Sequence, residues 1–407
     1  MKSDLFRCAL LATAALSAEP ALAQSEAPES AGDIVVTAQR REQGVLSVPL
    51  SIQATSGEQL KAQGIDDLTS LQFGTPGYFP DTNNGFVQVY MRGIGNAVFI
   101  GADPSVATFI DDVPQIYGIT IDKLPDVQRV EVLKGAQGGL YGRNATGGVV
   151  NMITRQPSTE RTMMEFTGSY GERQTVRASG FVNVPLGERA ALSLAAERDS
   201  HDAYIRNIAP AVPYSAANFP TGAFLPVPNG SAAIPVGGGI NVYAYSPAQT
   251  AAFFNAGQKV VDMDYQDFWA MRGKLLFKPT DTLSITIGAS RASKHDNSSG
   301  QFVSSTPVFN QAALTGIFGL IGVTPSLPAG FIQGQSGGKW TTSIGTENYS
   351  YIRDWSVQGT IVWNGPGFDL TSISAYRKMR SSTSGDSGTT TVPLVPFQIE
   401  FTRDYLY

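Results

Sequence analysis

The stretch Leu283-Ser284-Ile285-Thr286-Ile287-Gly288-Ala289 decides the fold class, because large apolar residues alternate in it with small or polar ones. Ala191-Leu192-Ser193-Leu194-Ala195 repeats the pattern. Successive side chains of a β-strand point to opposite faces, so a period of two predicts a wall with lipid on one side and water on the other.

Eight segments after Pro157 are predicted strands: Glu165–Tyr170, Gln174–Val184, Ala190–Arg198, Gln266–Phe277, Leu283–Ser293, Tyr351–Trp363, Phe368–Arg377 and Gln398–Tyr407. Several are longer than the ~5–6 residues of a usual globular strand and suit a tilted transmembrane strand of ~9–11 residues. Tight turns at 186–189, 279–282 and 364–367 alternate with long loops at 199–263, 295–350 and 378–397. This alternation is typical of a membrane β-barrel with short periplasmic turns and long extracellular loops.

Aromatic residues fall toward the ends of these strands: Trp269, Tyr351, Trp355, Trp363, Phe368 and Tyr376. They can form girdles at the two membrane interfaces. Ordinary cross-strand packing explains them equally well, and the sequence leaves both interpretations open.

The predicted helices and strands of residues 45–157 indicate a small α+β domain. Thr55-Ser56-Gly57-Glu58-Gln59-Leu60 carries a capping-box pattern, and Gly64 supplies a helix stop. A second short helix is predicted from Asp66 or Asp67 to Gly74, with Ile65, Leu68 and Leu71 buried. Strands are predicted at Phe86–Met91, Val106–Ile110, Val127–Leu133 and Val149–Thr154.

The first 23 residues are predicted to be a secretory signal. Lys2 and Arg7 give a positive start, a short apolar stretch follows, and Ala21-Leu22-Ala23 is a cleavage pattern. Cys8, the single cysteine, lies inside this signal, so the mature chain is expected to hold no disulfide and no thiolate metal site. Residues 24–44 then form a polar segment, and Asp33-Ile34-Val35-Val36-Thr37-Ala38 is a strand-former that needs a partner.

Composition narrows the function classes. Charged residues make up 15% of the chain, against ~25% in ordinary soluble domains. After the signal no apolar run reaches the ~18 residues of a membrane helix. A net charge of −5 argues against nucleic-acid binding.

Three motifs have rival interpretations. The glycine-rich run 135–148 resembles a phosphate-binding loop, but Gly148 stands where that motif needs Lys, so tight turns are the preferred interpretation. Asp111-Asp112 is either a metal-binding pair or a turn, and turn chemistry is favoured. His201 and His295 both fall in predicted loops and make a poor metal site. We expect no catalytic group, metal site or cofactor.

The chain resembles the TonB-dependent outer-membrane receptors. The resemblance rests on 89–95 (Val-Tyr-Met-Arg-Gly-Ile-Gly), on 103–111 (Asp-Pro-Ser-Val-Ala-Thr-Phe-Ile-Asp) and on 140–148 (Leu-Tyr-Gly-Arg-Asn-Ala-Thr-Gly-Gly). It implies an α+β plug domain at 45–157, followed by antiparallel transmembrane β-barrel strands at 158–407. About 8 of an expected 22 strands are present, which predicts a truncated receptor or a fragment.

The same resemblance implies site residues and partners. A TonB box at Asp33, Ile34, Val35, Val36, Thr37 and Ala38 would be gripped by the TonB energy-coupling protein with its inner-membrane motor. Arg92 and Arg143 would form a plug–barrel lock with Asp404. The ligand, most often a ferric siderophore in this family, would meet plug apices, with Phe79, Asn83, Phe99 and Tyr117 as candidates, although turn packing explains those residues as well. Outer-membrane lipid is the other expected partner.

Two further readings stay open at this stage. A truncated, non-transporting receptor remnant would share every motif. A receptor for a non-iron ligand, such as a carbohydrate or an aromatic compound, would differ only in loops whose sequences do not indicate the ligand. A passive porin is disfavoured, because it would need neither a plug nor a coupling strand.

Overall fold

The computed structural model describes residues 35–36, 43–44, 50–83, 86–95, 104–115, 123, 126–207, 233–236, 240–243, 261–297, 341–342, 349–386 and 396–407. The predicted signal at 1–23 lies outside the described residues, as does most of segment 24–44. Among the described helices, none has the length and apolar character needed to cross a bilayer.

The first part of the chain forms a small domain around a five-stranded sheet. Its elements are β1 (Val35–Val36), β2 (Gln43–Gly44), β3 (Ile52–Ser56), α1 (Gly57–Ala62), β4 (Tyr78–Asn83), β5 (Phe86–Met91), β6 (Val106–Ile110), β7 (Val113–Gln115), β8 (Val127–Lys134), α2 (Gly138–Tyr141) and β9 (Gly148–Thr154). The sheet order is β3-β8-β9-β6-β7, in which only the β6–β9 pair is parallel. β4 and β5 form a separate hairpin, and β1 pairs with β2.

The helix α1 begins as its sequence predicts. The Ser56 side chain accepts from the Gln59 backbone N–H, and the Gln59 side chain accepts from the Ser56 backbone N–H, which is a complete capping box. The second predicted helix is wrong in kind: a single 3-10 turn covers Ser70–Phe73 before Gly74. Its apolar residues Ile65, Leu68 and Leu71 are nevertheless buried, as expected.

Both faces of the five-stranded sheet are covered. On one face Val130, Val132, Val150 and Met152 pack with residues of α1, the 3-10 turn and the β4–β5 hairpin. On the other face Phe109, Leu133 and Val149 pack with Val36, Tyr141 and Ala145. Tyr141 and Phe109 meet edge to face, with ring centroids 5.1 Å apart. Because successive side chains of β8 and β9 point to opposite faces, these two strands contribute residues to both hydrophobic cores.

The glycine-rich run makes tight turns, as preferred from the sequence. Gly135, Gly142 and Gly148 all have positive φ. At Gly148 (φ 153°) a Cβ would collide with the Met91 sulfur and the Leu133 carbonyl oxygen. This position requires glycine because the backbone of β9 starts directly against β8 and β5.

The second part of the chain is a meander of long antiparallel strands, which we call the wall. Its strands are β10 (Met163–Tyr170), β11 (Val176–Pro185), β12 (Ala190–His201), β16 (Gln266–Thr280), β17 (Leu283–Asp296), β19 (Tyr349–Gly365), β20 (Phe368–Asp386) and β21 (Pro396–Leu406). They pair in this order, β10-β11-β12-β16-β17-β19-β20-β21. All eight strands predicted from the period of two are confirmed.

The wall strands run further than predicted at the ends that carry long connections. β12 continues to His201 and β17 to Asp296, so His201 and His295 lie in strands and the loop prediction for them is wrong. Shorter strands fill parts of the long connections: β13 (Arg206–Asn207), β14 (Ala233–Val236), β15 (Ile240–Tyr243) and β18 (Thr341–Thr342). β15 pairs with β21.

The two faces of the wall differ as the alternation predicts. On β16 the side chains of Phe268, Ala270, Lys274 and Leu276 are buried, whereas Met271, Leu275 and Phe277 between them are exposed. The buried set faces the small domain, and the exposed apolar set forms the outer face. The wall therefore turns a mixed face, with Lys274 among apolar side chains, toward the domain and presents an apolar face outward.

Candidate functional site

Two cations of β16 reach from the wall into the small domain. Lys274 Nζ lies 2.9 Å from Asp111 Oδ2, and Arg272 Nη1 lies 2.6 Å from Asp126 Oδ1. All four side chains are largely buried, at 7%, 12%, 15% and 5% exposure respectively. Arg272 and Lys274 are two residues apart and so point to the same face of their strand.

The turn that carries Asp111 explains its position. Ile110 pairs with Val113, so Asp111 and Asp112 form the two-residue turn between β6 and β7, with φ values of 48° and 65°. Aspartate tolerates this left-handed conformation better than most residues. The turn interpretation of the pair is therefore confirmed, but the Asp111 carboxylate also has the buried partner Lys274.

Asp111 is the centre of a hydrogen-bond network that joins three elements. Its carboxylate accepts from the Thr154 backbone N–H (2.9 Å) and the Thr154 hydroxyl (2.7 Å), and its carbonyl oxygen accepts from Gln358 Nε2 of β19 at 3.0 Å. Burial alone would raise the pKa of Asp111, but the neighbouring Lys274 ammonium and Arg272 guanidinium hold that pKa below its ordinary value. Asp111 is therefore held ionised against the wall.

The neighbouring carboxyl, Asp126, is perturbed in the opposite direction. Burial raises its pKa, and the attraction of Arg272 offsets this only in part. The two buried acids thus face the same pair of cations, yet one is stabilised as a carboxylate and the other is pushed toward its protonated form.

Further ion pairs extend the contact between the domain and the wall. On β10, Glu165 binds Lys61 and Arg155, the latter at 2.6 Å. Two more pairs join Arg177 of β11 to Asp66 at 3.0 Å and Asp199 of β12 to Lys123 at 2.7 Å. We call this whole set of polar contacts the seam. It draws on β10, β11, β12, β16 and β19, so polar contacts join the domain to five of the eight wall strands.

The three predicted lock residues are not brought together in the structure. Arg92 is exposed, and its Nη2 donates to Ser51 Oγ at 2.8 Å. Arg143 is exposed in the turn after α2. Asp404 lies on the outer face of β21, where it pairs with Lys378 at 3.0 Å. A lock between these residues stays a prediction.

The predicted ligand-contact residues are described only in part. Phe79 lies on β4 and is 60% exposed. Asn83 ends β4, where its backbone pairs with Phe86, and its side chain lies outside the described set. Phe99 and Tyr117 fall among residues that the structure does not describe. Ligand contact therefore stays a prediction for all four.

The predicted coupling segment is tied to the small domain. Val35 pairs with Gly44 and Val36 with Gln43 in an antiparallel ladder. The Val36 side chain is fully buried in the cluster that contains Phe109, Leu133 and Tyr141. Asp33, Ile34, Thr37 and Ala38 lie outside the described residues. Recognition by a coupling protein stays a prediction.

The seam residues were missed by sequence reasoning, although one signal was present. Arg272 and Lys274 place two cations on the inner face of a strand whose outer face is apolar. Two like charges at a spacing of two residues in a membrane strand call for an acidic partner. That signal locates the wall side of the seam but not Asp111 or Asp126.

A family model places the small domain among known proteins. Residues 45–149 match the TonB-dependent Receptor Plug Domain. This range lies within the 45–157 expected from the sequence, and the predicted domain limits themselves stay a prediction.

Among the described residues, no group of His, Cys, Asp and Glu side chains suits a metal ion.

Curated relatives match less than half of the chain. The pesticin receptor of Yersinia pestis is 32% identical over 172 residues, which are 41% of this chain and 25% of that receptor. An iron-regulated outer membrane virulence protein of Vibrio cholerae is 28% identical over 182 residues, or 42% of this chain and 28% of that protein. The aligned region thus spans only about a quarter of the length of these relatives.

A solved structure extends the likeness to the wall. The ferric yersiniabactin uptake receptor from Yersinia pestis superposes with a TM-score of 0.59 at 20% identity, over 83% of this chain and 42% of that one. At this identity the match concerns the fold, and it covers both the small domain and the strands.

Proposed function

We propose that the chain is a TonB-dependent receptor of the Gram-negative outer membrane that serves the energised uptake of a ferric siderophore. The small domain is then a plug and the wall is part of its barrel. The observation that carries the proposal is the plug-domain match over 45–149, joined to a wall whose inner face makes ion pairs with that plug.

The choice of ligand follows the relatives. One matched relative is described as iron-regulated, and one matched structure is described as a ferric yersiniabactin uptake receptor. The family consists of receptors, and we propose no catalytic step. The exposed Phe79 at the β4–β5 hairpin is the described candidate for ligand contact.

The seam suits a plug that must be held and then released. Charged contacts keep the plug in place, and they can be replaced by water when the plug moves, which apolar packing could not do at equal cost. A plug attached in this way blocks passage at rest and can still be displaced by work done on it.

The segment at 33–38 is the proposed point at which that work enters. An extended strand that adds to a sheet edge of the TonB protein would transmit force through its main-chain hydrogen bonds. β1 must first leave β2 and withdraw Val36 from the plug, because its backbone and side chain are already engaged there.

The test measures binding and accumulation separately. Cells that express the protein under iron limitation should take up radiolabelled iron from a ferric siderophore in a panel. Val35→Pro removes a ladder N–H and should abolish accumulation while surface binding of the same siderophore persists. Ser30→Pro, in the polar segment ahead of the strand, is the matched control and should leave both unchanged.

Two results would contradict the proposal. If no ferric siderophore of the panel binds, the ligand class is wrong. If Val35→Pro accumulates iron at the rate of the unaltered protein, the coupling strand is wrong even though the ligand class stands.

A further inference from the structure

The outer face of the wall is apolar along most of the strands and carries arginines near the strand ends that lead into the long connections. From the turn at 366–367 upward it presents Phe368, Trp363, Ile361 and Val357, then Trp355. Eight residues separate Trp363 from Trp355, which at about 3.3 Å per residue and a tilt near 40° is roughly 20 Å across the membrane. This is close to the height of the apolar band of an outer-membrane barrel.

Three arginines stand at the upper limit of this band, and we call them the arginine triad: Arg291 on β17, Arg353 on β19 and Arg380 on β20. All three side chains are exposed. Arg353 is directly opposite Arg380 in the strand register. Arg291 is opposite Trp355, two residues along β19 from Arg353, so it is the diagonal neighbour of Arg353 on the same face.

The triad has no acidic partner among the side chains that the structure describes. The two described outer-face acids at this level are already paired, Asp267 with Arg198 and Asp404 with Lys378. Like charges directly opposite each other on neighbouring strands destabilise a sheet. An anion between the guanidinium groups would remove that repulsion.

Aromatic rings position two of the three guanidinium groups. Arg291 lies over the Trp269 ring at 5.9 Å, and Arg353 lies over the Tyr351 ring at 4.5 Å. Tryptophan and tyrosine of membrane barrels gather at the level of the lipid headgroups. The long connections at this end mark it as the extracellular side, so the triad faces the headgroups of the outer leaflet.

We propose that the arginine triad binds the phosphate group of an outer-leaflet lipid. Guanidinium groups bind phosphate oxygens in a bidentate manner. Below the triad, exposed Met271, Val357 and Ile287 continue the same face with apolar surface. A lipid whose charged head meets the arginines and whose acyl chains lie along this surface satisfies both regions, whereas a free anion satisfies only the first. This inference needs the membrane position of the wall but neither the siderophore nor energised uptake.

The experiment compares two lipids that differ only in phosphate. The purified full chain in detergent is mixed with phosphatidic acid or with diacylglycerol of the same acyl chains, and retained lipid is measured by native mass spectrometry. We expect phosphatidic acid to be retained and diacylglycerol to be lost. The variant Arg353→Gln/Arg380→Gln should lower the affinity for phosphatidic acid about tenfold or more, since hydrogen bonds to charged groups contribute about 1.5–3 kcal/mol.

Matched variants separate the triad from general charge. Arg161→Gln removes an exposed arginine outside the triad and should bind phosphatidic acid as the unaltered protein does. Arg353→Lys keeps the charge but loses the bidentate geometry and should fall between the two. Circular dichroism of each variant confirms that the β-structure is kept, as expected for changes at exposed positions.

Three outcomes would overturn the proposal. The first is equal retention of phosphatidic acid and diacylglycerol. The second is equal binding by the Arg353→Gln/Arg380→Gln variant and the unaltered protein. The third is displacement of the lipid by millimolar inorganic phosphate, which would assign the triad to a soluble anion.

Discussion

Lys274 of the wall is one of the residues that hold the plug in place through a buried ion pair. Its ammonium is buried between Asp111 and the Thr154 hydroxyl. Removing one member of a buried ion pair leaves an uncompensated charge, which costs much more than the loss of an exposed pair. Single residues at the seam therefore matter in proportion to their burial.

We expect Lys274→Met to destabilise the plug by about 3–5 kcal/mol, because the buried Asp111 would lose the cation that pairs with it. The measurement is native-state hydrogen exchange of the β6 amides 106–110, which should speed up roughly hundredfold or more. Lys378→Met breaks the more exposed pair with Asp404 and should change exchange little, since exposed pairs contribute about 0–1 kcal/mol. Equal effects of the two substitutions would show that the seam does not hold the plug.

Acid should weaken the plug through Asp111. Its pKa is lower in the folded protein than the ordinary value of about 3.9. The carboxylate therefore contributes stability that is present above that ordinary value and is lost as the pH falls through the lowered folded value. The urea concentration at the midpoint of plug unfolding, measured by pulse proteolysis, should decrease once the pH falls below about 4.

Asp111→Asn should remove this acid loss, and asparagine tolerates the left-handed turn. Asp126 supplies the opposite sign, because its raised pKa makes the folded protein take up that proton more readily as the pH falls. An Asp111→Asn variant that keeps the full acid loss would place the titrating group elsewhere.

At the scale of elements, sequence patterns predicted what depends on neighbours along the chain. The wall strands were found because alternation needs only the strand itself. β4 was missed, since Tyr78-Phe79-Pro80-Asp81-Thr82-Asn83 contains proline, aspartate and asparagine, which strands disfavour. The seam could not be predicted, because Lys274 and Thr154 are 120 residues apart and their meeting depends on how the wall wraps the plug.

Gly148 shows how closely the elements of the plug approach each other. Gly148→Ala should destabilise the plug by at least about 1–3 kcal/mol, since the added Cβ meets the Leu133 carbonyl and the Met91 sulfur. Gly139→Ala, in the short helix α2, meets no atom within 4 Å and should be neutral or slightly stabilising. Urea midpoints of the two variants provide the comparison, and a tolerated Gly148→Ala would contradict the close packing of β9 on β8.

At the scale of the whole molecule, the two faces of the wall should respond differently to charge. Ile287 lies on the outer face midway between the Trp355 and Trp363 levels and is 53% exposed. Ile287→Lys should destabilise the membrane-inserted wall by about 2–4 kcal/mol, the cost of a cation at the midplane.

Phe368→Lys changes the same face near the periplasmic turn and should cost only about 0–1 kcal/mol, because a lysine there reaches water. Reversible unfolding of the protein in lipid vesicles measures both. A cost that does not fall with distance from the midplane would mean that this face does not contact lipid.

The order of strands in the plug sheet has a mechanical consequence. Within the part of the chain that the structure describes, β3 follows the proposed coupling segment and is an edge strand, paired only with β8 from Ile52 to Ser56. A pull on the N-terminal segment would therefore separate β3 from β8 first and break a few hydrogen bonds at a time. The ion pairs of the seam begin at Lys61, which follows this strand in the chain. A modest force could therefore detach β3 before any ion pair to the wall has to break.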